Sequence, residues 1–272
     1  MKLRFLGTAA YEGVPALFCN CDVCKRSALA GGKNIRTRTQ AIVNDDLLID
    51  FPPDTFLHFL RFRDDFENIR NVLITHSHSD HLYPDDIEAL RGCYSHGWLR
   101  PWHFFAGESG TRVISRILSA AKPEEADVTE LHAFEEKIIG NYRVLPLPAN
   151  HAQGTAPFIY RITDGEKSML YAHDTGLPEE AVYEALAAGG HLDLISFDGT
   201  CGLQDRIGGG HLTLKAIAVL LDRLKELGVV DDRTVKVMNH FSHHAGATYD
   251  EMTEICRPLG ILVSYDGMQI GF

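Results

Sequence analysis

The sequence predicts a layered fold of the α/β or α+β class, and three observations favour it. The chain has 272 residues, of which 45% are hydrophobic and 23% charged, a composition typical of a globular protein with a large core. Runs typical of strands alternate with helical patterns over most of its length. No linker rich in Pro, Gly or Ser interrupts them, and there is no internal sequence repeat. We therefore expect a single domain over residues 1–272.

The elements near the N-terminus follow from local patterns. Leu3–Leu6 is a short apolar run that ends at a glycine, as expected of a first strand. An irregular stretch follows to about Arg38. Gln40–Asn44 and Leu47–Asp50 are strand-like segments separated by two aspartates, which favours a β-hairpin. Pro53–Phe62 carries apolar residues on neighbouring turns and predicts a short helix.

The rest of the chain continues this alternation. Asn71–Thr75 predicts a strand, and a helix is expected to begin near Pro84, because proline suits the first helical turn and acidic residues follow it. Further strands are expected at Trp102–Phe105, Tyr142–Leu147, Phe158–Ile162, Ser168–Tyr171, Leu192–Phe197, Val235–Met238 and Ile261–Ser264. Helical patterns fall at Thr111–Ala121, Glu179–Ala188, Leu212–Leu227 and Tyr249–Cys256. Periodicity alone does not distinguish a sandwich of sheets from a doubly wound sheet.

Four potential metal ligands lie within six residues directly after the predicted strand that ends at Thr75: His76, His78, Asp80 and His81. On an extended segment alternate residues share a face, which places His76 and His78 side by side. A turn would then bring Asp80 and His81 to a second point nearby. This spacing suits two metal ions a few ångströms apart and is unlike that of solvated loop residues.

The motif His76-x-His78-x-Asp80-His81 is similar to the signature of the metallo-β-lactamase superfamily. The resemblance implies a four-layer αβ/βα sandwich, with a one- or two-metal site on the edge between the sheets. It also implies hydrolysis by a hydroxide that two metal ions activate. In that reaction Asp80 would bind one metal ion and orient the nucleophile.

The same resemblance implies three further ligands, each after a later predicted strand. His151, Asp174 and His240 occur at such positions in the expected order, and Asp174 matches the carboxylate that bridges both metal ions. His173 precedes Asp174, and we expect it to be a neighbour without a metal. Imidazole and carboxylate ligands favour Zn²⁺, with Mn²⁺ and Fe²⁺ as alternatives.

A second cluster consists of three cysteines, Cys19, Cys21 and Cys24, in the pattern C-x-C-x₂-C. Three thiols this close can bind one metal ion, but a closed structural zinc site requires four ligands. We expect His243 to be the fourth, because it lies three residues beyond His240 on the same loop. The cysteines then belong to a structural metal insert at about residues 8–38.

Several alternatives to this zinc site remain open. His244 is the second choice as fourth ligand, and the three thiols are simply reduced in another interpretation. A redox pair is disfavoured, because Cys21-x-x-Cys24 lacks the helix start of a thioredoxin-like motif. The remaining cysteines are lower-ranked ligand candidates that we interpret as small buried hydrophobic residues: Cys93, Cys201 and Cys256.

The Cys insert after the first strand, the sequence His240-x-Ser242-His243 and the ending Tyr265–Ile270 together resemble the PhnP-type phosphodiesterases. That resemblance implies hydrolysis of cyclic ribose phosphates and a structural zinc ion beside the two-metal site. It extends over most of the chain, but residues 92–140 show nothing specific. The PqqB type, a relative in coenzyme biosynthesis, shares the insert, so the insert alone does not identify the substrate.

His211 is the candidate for the group that protonates the departing alkoxide, because a histidine with a pKa near neutrality suits general-acid catalysis. It resembles the position of such a histidine in PhnP-type and tRNA-processing relatives. The alternative is that His211 caps the helix expected near Leu212. Gly208–Gly210 would let the backbone approach the substrate closely, or form a flexible loop.

The sequence thus predicts a metal-dependent phosphodiesterase for a small or cyclic substrate. One alternative is a hydrolase of carboxylic esters, thioesters or lactones on the same site. His211 discriminates, because a leaving-group acid matters for a poor alkoxide and much less for a thiolate. Another is a protein of the PqqB type that binds metal without catalysis, which the complete ligand set disfavours.

Charge and hydropathy bound the partners and the location. The net charge of −11 disfavours a nucleic acid polymer. No apolar run reaches the roughly 20 residues that a membrane-spanning helix needs, and the N-terminus lacks the features of a signal peptide. We therefore expect a cytoplasmic protein with reduced cysteines, a small-molecule phosphodiester as partner, no membrane association and, as one option, a homodimer.

Overall fold

The computed structural model describes residues 1–90, 94–96, 101–121, 126–152 and 154–272. Two seven-stranded sheets form its centre, in the orders β14-β1-β2-β3-β4-β5-β6 and β13-β12-β11-β10-β9-β8-β7. The strands are β1 (Lys2–Gly7), β2 (Gln40–Val43), β3 (Leu47–Ile49), β4 (Asn71–Leu73), β5 (Trp102–Ala106), β6 (Ala126–Glu130), β7 (Lys137–Ile139), β8 (Tyr142–Pro148), β9 (Phe158–Thr163), β10 (Ser168–Ala172), β11 (Leu194–Asp198), β12 (Val235–Asn239), β13 (Ile261–Val263) and β14 (Gln269–Gly271).

Helices cover the outer faces of both sheets. Their ends follow local sequence signals: Thr248 and Glu251 form a capping box on the last helix, and Pro84 occupies the first turn of another. The helices are α1 (Asp22–Ala30), α2 (Thr55–Arg61), α3 (Arg63–Phe66), α4 (Pro84–Ile87), α5 (Glu108–Ala121), α6 (Glu180–Gly189), α7 (Leu214–Glu226) and α8 (Tyr249–Cys256). Short 3₁₀ turns lie at Gly32–Asn34, Glu88–Leu90, His243–Ala245 and Arg257–Leu259.

The two sheets share one plan. In the first sheet β14, β1, β2 and β3 are antiparallel neighbours, whereas β3, β4, β5 and β6 run parallel. In the second sheet β7 to β10 are antiparallel and β10 to β13 run parallel. The last strand returns to the first sheet, where Ile270 pairs with Leu3. Each sheet therefore combines a hairpin region with a region of parallel crossovers.

Alternation along the strands builds the layers. In β10, Met169 and Tyr171 belong to the apolar core between the two sheets, while Leu170 and Ala172 belong to the core under the helices. Helices α6, α7 and α8 contribute to that outer core, and α5 contributes Ile114 to the equivalent core on the first sheet. The order helix, sheet, sheet, helix confirms the predicted αβ/βα sandwich.

The parallel strands determine where polar side chains gather. Parallel neighbours end at the same edge of a sheet, so the residues that follow them lie close together. Asp50 follows β3, His76 follows β4, Asp174 follows β10, and His240 follows β12. All of these residues are buried. This edge of the sandwich holds the residues described in the next subsection.

Most predicted elements are confirmed within a few residues, but the expected irregular stretch before Arg38 is wrong in part. Helix α1 occupies Asp22–Ala30, and Cys21 is its N-cap. The Cys21-x-x-Cys24 pair therefore does have a helix start, contrary to the prediction. Apolar periodicity could not reveal this helix, because Cys24 and Ser27 are its buried residues and Leu29 is exposed. Strands β6, β7 and β14 and helix α3 were also missed.

Candidate metal centre

The first set of potential ligands combines His76, His78, His151 and Asp174. The loop after β4 places His76 Nε2 2.9 Å from His78 Nδ1. His151, from the loop after β8, lies with its Nε2 3.4 Å from the same nitrogen of His78. Asp174 Oδ2 lies 3.3 Å from His76 Nε2 and 3.7 Å from His151 Nε2. Four donor atoms thus converge on one point.

The second set combines Asp80, His81, Asp174 and His240. A turn closed by the bond from His81 N to His78 O reverses the chain after His78. His81 Nε2 then lies 3.3 Å from Asp80 Oδ2, 2.8 Å from Asp174 Oδ2 and 3.2 Å from His240 Nε2. The structure therefore brings together all seven residues that the sequence analysis assigned to this centre.

Asp174 joins the two sets. Its Oδ2 faces His76, His81 and His151, whereas its Oδ1 lies 3.4 Å from His240 Nδ1. Asp174 has a φ of 50° and His240 a φ of 58°, which is the left-handed region. Such a backbone conformation is costly for residues other than glycine and persists where the surrounding structure enforces it.

The donor chemistry fits divalent cations. A neutral imidazole has one N–H group and one lone pair. His81 Nε2 lies 3.2 Å from His240 Nε2, and a cation between these nitrogens could accept a lone pair from each. Burial alone would keep Asp80 neutral, but the charge of His81 outweighs it and lowers the pKa of Asp80. The carboxylates in turn outweigh burial and raise the pKa of His81. The carboxylates of the cluster thus attract positive charge. Divalent metal ions, bound by imidazole and carboxylate groups, would supply that charge.

Asp50 orients one of these histidines and was missed by the sequence analysis. Its Oδ2 accepts from His81 Nδ1 at 2.7 Å, and its Oδ1 accepts from Thr75 N at 2.8 Å. A carboxylate on the far nitrogen of a ligating imidazole fixes its tautomer and raises its basicity. The sequence feature that could have identified Asp50 is its position as an acidic residue at the end of the predicted strand Leu47–Asp50.

His211 lies beside this cluster and pairs with a second missed residue, Asp198. His211 Nδ1 donates to Asp198 Oδ2 at 3.0 Å and lies 3.3 Å from Asp174 Oδ1. Burial disfavours a charged His211, but the hydrogen bond to Asp198 and the nearby carboxylate charges outweigh it and raise the pKa of His211. Asp198 ends β11, so the same strand-end signal applied to it.

The alternative in which His211 caps a helix is wrong. Helix α7 begins at Leu214, and its N-cap is Thr213, whose side chain accepts from the backbone N–H of Ala216. His211 lies two residues before that cap. Its side chain instead borders an open cavity of about 490 Å³ above the cluster. That cavity is also lined by His78, Asp80, His151, Asp174, Thr200, Arg206 and His240, among others.

Three cysteines and His243 form another group of potential ligands, which shares no residue with the two sets above. His243 Nδ1 lies 3.4 Å from Cys19 Sγ and 3.3 Å from Cys21 Sγ, and Cys24 completes the set. The bond to His243 lowers the pKa of Cys21 to about 6, whereas burial raises that of Cys24 to about 12. Three sulfurs and one imidazole nitrogen form a donor set of the kind that structural zinc sites use.

The alternatives for the fourth ligand are placed elsewhere. His244 groups with Glu12 and His243 and does not join the thiols. Cys201 and Cys256 are buried, as expected of small hydrophobic residues. Cys93 lies outside the described residues. His173 is buried, with its Nε2 2.7 Å from Ser196 Oγ, and joins neither histidine set.

A family model described as a β-lactamase superfamily domain matches residues 46–241. A diphosphatase of the PhnP family superposes with a TM-score of 0.75 and 23% identity, over 100% of this chain and 96% of that one. Zn²⁺-bound PqqB from Methylobacterium extorquens gives 0.77 and 18%, over 100% of both chains. The short form of human tRNase Z gives 0.67 and 16%, over 100% and 99%. No curated protein matches.

Within the described ranges, none of the helices has the length and apolar character needed to cross a membrane.

Proposed function

The chain belongs to the metallo-β-lactamase superfamily of metal-dependent hydrolases, and from this premise we propose that it hydrolyses a small or cyclic phosphodiester. The observation that carries the proposal is the pair of His211 and Asp198 beside the His/Asp cluster. An alkoxide is a poor leaving group and benefits from a proton donor, whereas a thiolate leaves without one. A buried carboxylate that keeps a histidine protonated is suited to that task.

We assign the binuclear site to the two sets that share Asp174, namely His76, His78 and His151 on one side and Asp80, His81 and His240 on the other. Support comes from the convergence of their donor atoms within 4.8 Å of one another in each set. Divalent ions, when bound, supply Lewis acidity for water activation and for neutralising phosphate charge. Zn²⁺ or Mn²⁺ suits these ligands best, and Fe²⁺ is also compatible.

His211 acts as the general acid in this proposal. Its Nδ1 is held by Asp198, which leaves Nε2 as the nitrogen for the substrate. Attack of water on phosphorus breaks the bond to the alcohol oxygen, and that oxygen takes the proton from Nε2. The attacking water releases one proton to solvent, and Nε2 recovers its proton from solvent before the next turnover. Asp80, which belongs to the set with His81 and His240, orients the attacking water.

We assign the cysteine site to one structural Zn²⁺, held by Cys19, Cys21, Cys24 and His243. The lowered pKa of Cys21 supports this assignment, because a metal binds the thiolate and not the thiol. We also propose that the chain is one domain. We further propose that it functions in the cytoplasm, where cysteines stay reduced and can bind a metal ion.

Two similar structures support a substrate that contains phosphate by what their names say of them: a diphosphatase and a tRNase. The net charge of −11 favours a small substrate over a polynucleotide. PqqB superposes with a TM-score of 0.77, close to the 0.75 of the diphosphatase. A role in a cofactor pathway is therefore the second candidate. His211 and Asp198 favour the hydrolase over that candidate and over a thioester hydrolase, whose thiolate leaves without a proton donor.

The test is a substrate panel on protein of known metal content. It compares bis(p-nitrophenyl) phosphate and 2′,3′-cyclic nucleotides with a thioester and a lactone, for the wild type and for His211→Ala. Turnover of the phosphodiesters alone is expected. The variant should lose at least about 10²-fold on the cyclic nucleotides, which release an alkoxide, and much less on bis(p-nitrophenyl) phosphate, whose nitrophenolate leaves without a proton donor. Turnover of the thioester or lactone alone would transfer the function to the alternative hydrolase. A fully metal-loaded protein that is inactive on every substrate would favour the second candidate.

A further inference from the structure

Arg206 is one of the residues that line the cavity above the metal centre. The side chain is held by neutral acceptors: Nε donates to Gln204 Oε1 at 3.2 Å, Nη1 to Gly208 O at 2.7 Å, and Nη2 to Cys201 Sγ at 2.7 Å. A guanidinium has five N–H groups. Each terminal nitrogen therefore retains one N–H group beyond these contacts.

The charge of Arg206 is not compensated. In the part of the chain that the structure describes, no carboxylate forms an ion pair with it, although the protein carries a net charge of −11. Two other arginines are paired: Arg38 with Asp54 at 3.2 Å and Arg4 with Asp65 at 2.9 Å. A fixed cation without a carboxylate partner, beside an open cavity, is typical of anion recognition.

The glycine loop before His211 is shaped around this arginine. A Cβ atom added at Gly209 would lie 2.0 Å from Arg206 Nη1, and one added at Gly176 would lie 1.9 Å from Gly209 O. Gly209 also has a φ of +118°, a conformation that favours glycine. The loop therefore packs between Arg206 and Gly176, and the missing side chain at Gly209 leaves room for the guanidinium.

We propose that Arg206 binds the anionic oxygens of the substrate's phosphate and thereby selects anionic esters over neutral ones. The inference rests on the proposed function, whose site it shares. Hydrogen bonds between a guanidinium and phosphate are charge-assisted and stronger than neutral ones. Because the guanidinium is already oriented by Gln204, Gly208 and Cys201, binding costs little side-chain entropy. A neutral ester or lactone would gain little from this group.

The first experiment is calorimetric titration of inorganic phosphate into zinc-loaded protein. Arg206→Gln is expected to raise the Kd at least about tenfold, since one charge-assisted hydrogen bond is lost. Arg206→Lys, which keeps the charge, is expected to give an intermediate value. Gly209→Ala is expected to weaken binding as Arg206→Gln does, because the new Cβ displaces the guanidinium.

Gly208→Ala is the matched control for Gly209→Ala. A Cβ added at Gly208 meets no atom within 4 Å, and the carbonyl oxygen that accepts from Arg206 is part of the backbone and is retained. This variant is expected to bind phosphate as the wild type does. The thermal midpoint and zinc content of the Arg206 and Gly208 variants are expected to stay at wild-type values, because Arg206 belongs to neither ligand set. Gly209→Ala is expected to keep its zinc but to melt at a lower temperature, because Gly209 has a φ of +118°.

The second experiment compares methyl p-nitrophenyl phosphate, which carries one negative charge, with its neutral dimethyl ester. Arg206→Gln is expected to raise KM for the charged ester about tenfold, with a smaller change in kcat, and to leave the neutral ester unaffected. Equal losses on both esters, unchanged phosphate affinity, or loss of zinc from Arg206→Gln would each overturn the inference. A wild-type protein inactive on both esters would instead refute the proposed function, while the phosphate titration would still decide the role of Arg206.

Discussion

His211 Nδ1 donates a hydrogen bond to Asp198 Oδ2 over 3.0 Å, at the end of β11. Asp198 is fully buried and also accepts from the backbone N–H of Thr200 at 2.9 Å. The bond from Thr200 and the surrounding buried residues hold the Asp198 carboxylate against the imidazole of His211. The pair therefore fixes the tautomer of His211 and stabilises its protonated form, which is what a general acid requires.

Asp198→Asn is expected to reduce kcat on phosphodiesters by roughly 10- to 100-fold, less than removal of the acid itself. The general acid works only while protonated, so the rate falls as pH rises through its pKa. Asp198 raises that pKa, and the variant should therefore lose activity at lower pH than the wild type. Initial rates from pH 5 to 9 measure this shift.

Asp193→Asn is the matched control for that measurement. Asp193 precedes the same strand at its other end and pairs with Lys167 at 2.8 Å, far along the strand from the cavity. Its pH profile should coincide with that of the wild type. An unshifted profile for Asp198→Asn as well would show that His211 does not supply the proton.

Asp50→Asn is expected to weaken metal binding by about 10- to 100-fold with little change in fold. Asn suits the position because Asp50 has a φ of 66°, a conformation that Asn tolerates. The variant removes the charge opposite His81 Nδ1 but preserves the shape of the side chain. Competition with a chromogenic chelator measures the affinity. Asp127→Asn, which breaks the exposed pair with His103, should retain wild-type affinity.

Cys21→Ser is expected to remove one metal equivalent and to lower the thermal midpoint, because metal binding at such a site contributes directly to folding free energy. The other equivalents should remain. Elemental analysis beside a thermal melt measures both effects. Cys256→Ala, at a buried cysteine in the outer core under the helices, should lower the midpoint without loss of metal. Unchanged stoichiometry in Cys21→Ser would reject the structural zinc.

His78→Ala is expected to abolish turnover while the fold persists, since His78 is a predicted metal ligand that is partly exposed and lines the cavity. Circular dichroism, metal content and turnover are measured on one sample. His191→Ala, which removes the pair with Asp231, should behave as the wild type. An active His78→Ala protein with normal metal content contradicts the assignment of the centre.

Prediction from the sequence worked best where a local pattern and a structural consequence coincide. The apolar run Asn71–Thr75 predicts a strand, and the polar residues after it, His76 to His81, lie at the sheet edge for that reason. Helix α8 was predicted with its observed ends from its local helical pattern. Helix α1 was missed, because its buried positions carry Cys24 and Ser27 in place of an apolar stripe.

Residue identity and short-range spacing were sufficient to predict most of the strands, the ligand types and the two groups of His, Asp and Cys. Which of these groups meet follows only from the fold. Asp50 reaches His81, Asp198 reaches His211 and Arg206 reaches the cavity through contacts between separate strand ends and loops. Such contacts depend on sheet pairing and loop packing, so a local pattern can mark an acid at a strand end but not the distant residue that it contacts.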